Sequence, residues 1–192
     1  YNVVRWASTP DPRYSGYGPS VANPRTCEII AADIVQEFNA IKRGYTYRKL
    51  WGYSEDNDPL EQWIISLTMH EVGHTLGLRH NFKSSWVFDA KEVHDVTITG
   101  DNHIGSVMDY DPINLAPKGI PQGNYFPTGP GSYDIWAIEF GYTPGLTDED
   151  RESLLSKSTE PEYIFGTDGD AMSSPGINID PRNYRGDMSN DP

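Results

Sequence analysis

The segment His70-Glu71-Val72-Gly73-His74-Thr75-Leu76-Gly77-Leu78-Arg79-His80 reads H-E-x-x-H-x-x-G-x-x-H. Four helical residues advance by about 400°, so His70 and His74 project from one face, a turn apart, and can hold one Zn²⁺. Glu71 flanks that face. A third imidazole six residues past His74 cannot come from the same face, so the chain must turn sharply between them, and Gly77 can take the left-handed conformation that stops a helix. His80 then swings back onto the metal. Three neutral imidazoles leave a fourth zinc position open for water, as in a catalytic site and not in a closed structural one. Zinc lowers that water's pKa toward ~7 and polarises a substrate carbonyl, while Glu71 can accept the proton and pass it to the leaving amine. With this chain's residue frequencies, the eleven-residue pattern arises by chance roughly 2 × 10⁻⁵ times in a chain this long.

Such a site needs a helix to carry it. Asp58 suits an N-cap, Pro59 the first helical position, and Glu61 stands three after the cap, predicting a helix from there to about Leu76. Its apolar residues fall on more than one face, which predicts a buried helix. Upstream, the stretch from Tyr1 to Trp6 reads as a strand, residues 16–25 as a Gly/Pro/Ser/Asn-rich loop, and residues 52–57 as a second loop. Residues 28–35 are nearly continuously apolar and fit either a strand or, through Ile30, Ile34 and Phe38, a helix face. Downstream, Val96 and Ile98 alternate with Thr97 and Thr99 as in a short strand, and helices are predicted over 134–142 and 148–156. The acidic run Asp148-Glu149-Asp150 suits a helix start. From Glu160 onward an irregular tail is expected.

Composition narrows the function classes. The 192 residues carry 15 Lys+Arg against 28 Asp+Glu, a net charge of −13, with no basic patch for a phosphate backbone, so nucleic acid is not expected as a partner. Hydrophobic residues at 36% and aromatics at 12% can build a core, while Gly 18 and Pro 15 demand many turns. No apolar run reaches the roughly 20 residues that span a bilayer. The single cysteine, Cys27, excludes an internal disulfide. His94 and His103 lie outside the zinc pattern and read as surface or hydrogen-bonding residues. Asp168-Gly169-Asp170 offers carboxylates for Ca²⁺ but lacks EF-hand spacing and reads first as a solvated turn.

The eleven-residue pattern, followed by Ser106-Val107-Met108-Asp109-Tyr110 as a Met-turn, resembles the metzincin zinc metallopeptidases. His70 to Phe82 is similar in particular to the bacterial Met-zincin family of large envelope-associated proteins. The resemblance implies an α+β fold: a small mixed sheet with a long active-site helix, then a loop-rich, helical C-terminal subdomain. It implies a partial N-terminal subdomain over 1–77, a C-terminal subdomain over 78–145 with the third ligand, Met-turn and closing helix, and an extension over 146–192. Only 69 residues precede His70, so one or two strands and a helix are expected upstream, in a larger parent polypeptide.

The implied activity is a zinc-dependent endopeptidase that cleaves protein or peptide substrates with zinc-bound water activated by Glu71. Its ligands are His70, His74 and His80, with Met108 an apolar floor. Tyr110 matches the tyrosine that ligates resting zinc and stabilises the tetrahedral intermediate, or is a buried, hydrogen-bonded tyrosine. The alternative is a non-catalytic zinc-binding module of an envelope protein that binds protein or glycan. A secreted, periplasmic or cell-surface location follows from the same resemblance. Residues 23–30 resemble the approach to the family's substrate-binding edge strand, which would pair with an extended peptide. Two departures stand out: Asn81 occupies the place of the astacin glutamate, and Cys27 stands where relatives usually have Gly. A thiolate there could in principle reach the zinc, but an incidental cysteine is the simpler reading.

Overall fold

The computed structural model describes residues 2–38, 41–51, 57–171, 180 and 182–190. Tyr1, residues 52–56 of the predicted second loop, and residues 172–179, 181 and 191–192 of the predicted tail lie outside the described residues. The fold is mixed α and β with a small mixed sheet, as expected. The chain forms two compact units, Tyr1–Arg79 and His80–Pro192. No helix among the described residues is long and apolar enough to cross a membrane.

In the first unit, β1 (Asn2–Ala7) runs parallel to β4 (Ile29–Glu37), with Val4 opposite Ile34. Two short strands, β2 (Gly16–Tyr17) and β3 (Ser20–Ala22), pair antiparallel with β4. The ambiguity over residues 28–35 resolves as strand: Ala32, Ile34 and Gln36 are buried while Ala31, Asp33 and Val35 between them are less so, a period of two, and the helix face through Ile30, Ile34 and Phe38 does not form, since Ile30 and Phe38 are each 55% exposed. The predicted loop over 16–25 is therefore corrected. Its Gly/Pro/Ser/Asn composition describes the turns, but β4 supplies a non-local pairing edge that local composition does not report. The expected edge strand after residues 23–30 is also corrected, since β4 has partners on both sides and cannot pair with a peptide. Between β3 and β4 the chain turns through Cys27, whose φ of 59° lies in the left-handed region and whose N–H donates to the Asn23 carbonyl at 2.8 Å.

Two helices complete this unit. α1 (Ile41–Trp51) was not foreseen; α2 (Pro59–Thr75) was. Asp58 caps α2, its carboxylate accepting from Leu60 N–H at 3.0 Å and from the Arg48 guanidinium of α1. Arg48, the largest influence, holds the Asp58 carboxyl below its ordinary value. Gln36 of β4 donates to Thr68 Oγ1 at 2.6 Å and ties the helix to the sheet. Within α2 only Glu61 is exposed, which matches the apolar residues found on several of its faces.

The second unit is loops and helices around Phe82, Ile104, Val107, Met108 and Phe126. The predicted strand at 96–99 is a single helical turn, α3 (Val96–Thr99). Its alternation finds no partner strand, Val96 and Ile98 are half exposed, and the Asp95 carboxylate caps Thr97 N–H at 2.9 Å. α4 (Ser132–Tyr142) and α5 (Asp148–Ser156) stand where expected, α5 opening on a Thr147–Asp150 capping box. Trp136 Nε1 of α4 donates to the Leu154 carbonyl of α5 at 2.9 Å. The described part of the tail is largely irregular, as expected, and lies on the preceding helices. Tyr163 and Phe165 pack on Trp136 and Tyr133, and Asp168-Gly169-Asp170 opens a short helix, α6 (Asp168–Ala171), in place of a solvated turn. A surface reading of His103 also fails, because it is 1% exposed, with Nε2 3.6 Å from Asp111.

Candidate metal centre

His70 and His74 sit one turn apart on α2, their rings edge to face with centroids 4.8 Å apart. The helix ends as the glycine suggested. Gly77 has φ +92°, Gly77 N–H donates to the His74 carbonyl and Leu78 N–H to the Gly73 carbonyl, each at 3.0 Å, forming a Schellman stop. The stop leads the chain to His80. The ligand nitrogens of His70, His74 and His80 all lie within 4.8 Å of one another, and among the described residues these three form the group able to hold a metal ion. Cys27, exposed on its turn, is not part of it.

Hydrogen bonds also dispose the ring protons for a metal. His74 Nδ1 lies 3.1 Å from the Leu78 carbonyl and His80 Nδ1 lies 2.8 Å from Asp168 Oδ2. Both partners accept, which assigns the proton to Nδ1 and the lone pair to Nε2 in each ring. Tyr110 then donates from its hydroxyl to His80 Nε2 at 2.9 Å, its ring centroid 4.7 Å from that of His80. The donor set of three imidazoles therefore fits zinc.

Glu71 is 4% exposed, and burial pushes its carboxyl up to about 7. The backbone of β2 passes hard against it. A Cβ on Gly16 would stand 2.5 Å from Glu71 Oε1, and one on Gly18 would stand 2.5 Å from the Glu71 carbonyl oxygen and 2.9 Å from Oε2. At Gly18 the atom met is backbone and cannot swing aside, so glycine alone permits that approach there.

Two buried carboxylates hold the Met-turn from within the second unit. Asp134, at the start of α4, accepts from Ser106 Oγ at 2.5 Å and from the N–H groups of Val107 and Gly131 at 2.8 Å each. Ser106 Oγ in turn accepts from Met108 N–H at 3.0 Å. Asp109 accepts from Tyr110 N–H, Ser84 Oγ and Ser85 N–H at 2.7, 3.0 and 3.2 Å. Burial raises both carboxyls, Asp109 to about 8. Met108 is fully buried and its carbonyl accepts from Asn81 N–H at 3.1 Å, joining the Met-turn to the residue after His80. Asn81, also fully buried, donates from Nδ2 to the Ile164 carbonyl at 3.0 Å and accepts from Gly166 N–H at 3.1 Å. Sequence reasoning read Asp168 as part of a solvated turn with carboxylates for Ca²⁺, not as a partner of His80, and did not single out Asp134, Asp109, Gly16 or Gly18. The one available signal was the position of Asp109 inside the Met-turn.

Comparison with curated proteins and with solved structures finds no match. The family described as Met-zincin matches residues 53–192, well over half of the chain. That span takes in α2, the three histidines, the Met-turn and α4. The chain belongs to the Met-zincin family, with the zinc-metallopeptidase-like fold that this membership brings.

Proposed function

We propose that this protein is a zinc-dependent endopeptidase, with His70, His74 and His80 as ligands and Glu71 as general base and then general acid. The observation that carries the reading is the gathering of three imidazole nitrogens within 4.8 Å, with a buried carboxylate next in sequence to the first of them. When bound, Zn²⁺ acidifies a water toward a pKa of ~7 and polarises the scissile carbonyl. Glu71 takes the proton of the attacking water on a carboxylate oxygen and returns it to the leaving amine, so no covalent enzyme intermediate is needed. Tyr110 directs its hydroxyl to the negative charge that develops on the carbonyl oxygen. Met108 supplies the apolar floor, in a loop braced by Asp134 and Asp109. A secreted, periplasmic or cell-surface location belongs to the same proposal and is tested by fractionation of producing cells.

The decisive experiment combines metal analysis of the purified protein with cleavage of a denatured protein substrate. Wild type should hold one zinc and cleave; Glu71→Ala should hold zinc and lose about 10²–10⁴-fold in kcat/KM. Zinc-loaded wild type and Glu71→Ala that are equally inert would replace the peptidase with a zinc-held binding module. Failure of wild type to take up zinc would remove both.

A further inference from the structure

We propose that Asp168, in the segment beyond α5, is a positioning residue for the third zinc ligand, an inference that rests on the zinc reading above. His80 lies past the end of α2 and cannot borrow helical backbone to orient its ring. Side chains of its own unit do so instead. Asp168 Oδ2 accepts from His80 Nδ1 at 2.8 Å, Tyr110 meets Nε2 at 2.9 Å, and the ring stacks on Phe82 with centroids 5.3 Å apart and planes 28° apart.

The carboxylate is itself held at both oxygens. Arg185 Nη2 donates to Asp168 Oδ1 at 2.9 Å, and the same guanidinium lies 4.9 Å from the centroid of the Phe82 ring. The backbone leading to Asp168 is stitched to the flank of His80. Phe82 N–H donates to the Gly166 carbonyl at 2.7 Å, Gly166 N–H to Asn81 Oδ1 at 3.1 Å, and Asn183 Nδ2 to the Thr167 carbonyl at 3.2 Å. A carboxylate on Nδ1 keeps the proton there, presents the Nε2 lone pair, and makes the imidazole a stronger ligand. Arg185 to Asp168 to His80 is therefore a relay by which the C-terminal stretch governs how tightly the metal is held.

The test uses the full chain as wild type, Asp168→Ala, Asp168→Asn and Arg185→Ala. Zinc affinity is read by competition with a chromophoric chelator, ligand geometry by the visible spectrum of the Co²⁺-loaded protein, and folding by the melting temperature of the metal-free protein. Asp168→Ala should weaken zinc by about 10–100-fold and change the Co²⁺ bands, with little shift in metal-free melting because the Asp168 side chain is 36% exposed. Asp168→Asn, whose amide oxygen can still accept from Nδ1, should restore part of the affinity, and Arg185→Ala should fall between wild type and Asp168→Ala. Zinc affinity within twofold of wild type and an unchanged Co²⁺ spectrum in Asp168→Ala would overturn the relay while leaving the zinc reading intact. If the alanine variant does not fold, wild-type affinity in Asp168→Asn overturns it equally. A wild type that binds no zinc takes down the reading and the relay together.

Discussion

Asp134→Ala is the perturbation that the structure prices most directly. At 3% exposure, Asp134 gives acceptors to one hydroxyl and two backbone N–H groups, and truncation strands all three donors inside the protein. A stranded buried donor costs about 1–3 kcal/mol, so the gross loss is about 3–9 kcal/mol. Relief of the carboxylate's own desolvation offsets part of it, leaving about 2–4 kcal/mol. Asp134→Asn can set its oxygen toward the two N–H groups and its amide toward Ser106 Oγ, so about 1–2 kcal/mol is expected.

Urea unfolding followed by tryptophan fluorescence measures both, with Trp136 two residues away on α4. The pH arm adds a sign. Burial, the largest influence, raises the Asp134 carboxyl above its ordinary 3.8, so the folded state favours the protonated form. That contribution is fully present below the unfolded value and is lost as pH rises through the folded one. The stability gap between wild type and Asp134→Asn should therefore narrow as pH climbs from about 4 toward neutrality. A loss below about 1 kcal/mol in Asp134→Ala, or a gap that widens with pH, would refute the reasoning.

Three further substitutions test the fold around the site. Gly77→Ala meets no atom within 4 Å but must hold φ +92°, so it should cost about 1–2 kcal/mol in thermal unfolding through backbone strain alone. Cys27→Gly should do the reverse and raise the melting temperature, with a gain of about 1 kcal/mol, because relief of the left-handed strain outweighs the added freedom of the unfolded chain. For Asp58 the carboxyl is lowered, chiefly by Arg48, so its contribution is present above the ordinary 3.8 and fades as pH falls through the folded value. Asp58→Asn should cost about 1–2 kcal/mol at pH 7, with the gap closing on acidification, as measured by urea midpoints across pH.

What could be read in advance was whatever the chain states locally. Asp58 and Pro59 announce the start of α2, Gly77 its stop, and the spacing from His70 to His80 the metal chemistry between them. The acidic run from Asp148 to Asp150 announces the start of α5 in the same way. What was illegible depends on partners far along the chain. β2 and β3 exist because β4 offers them an edge, and Val96-Thr97-Ile98-Thr99 alternates like a strand but has no such edge. Asp168 reaches His80 across 88 residues, and Asp134 reaches Ser106 across 28, each through bonds that any loop carboxylate could make. Cys27 lies between these cases. The resemblance marked it as a place for glycine, and the φ of 59° supplies the reason.

The stop at Gly77 does more than end a helix. By turning the chain there, it delivers the Leu78 carbonyl to His74 Nδ1, so the geometry that terminates α2 also chooses which nitrogen of His74 carries the proton. Were α2 one turn longer, that carbonyl would point along the helix axis toward the amide four residues on, and His74 would lose its acceptor. Grafting the two histidines and the glutamate onto an arbitrary helix would therefore copy the ligands without the proton inventory that readies them. In this protein the unit that can be transplanted is the helix together with its ending.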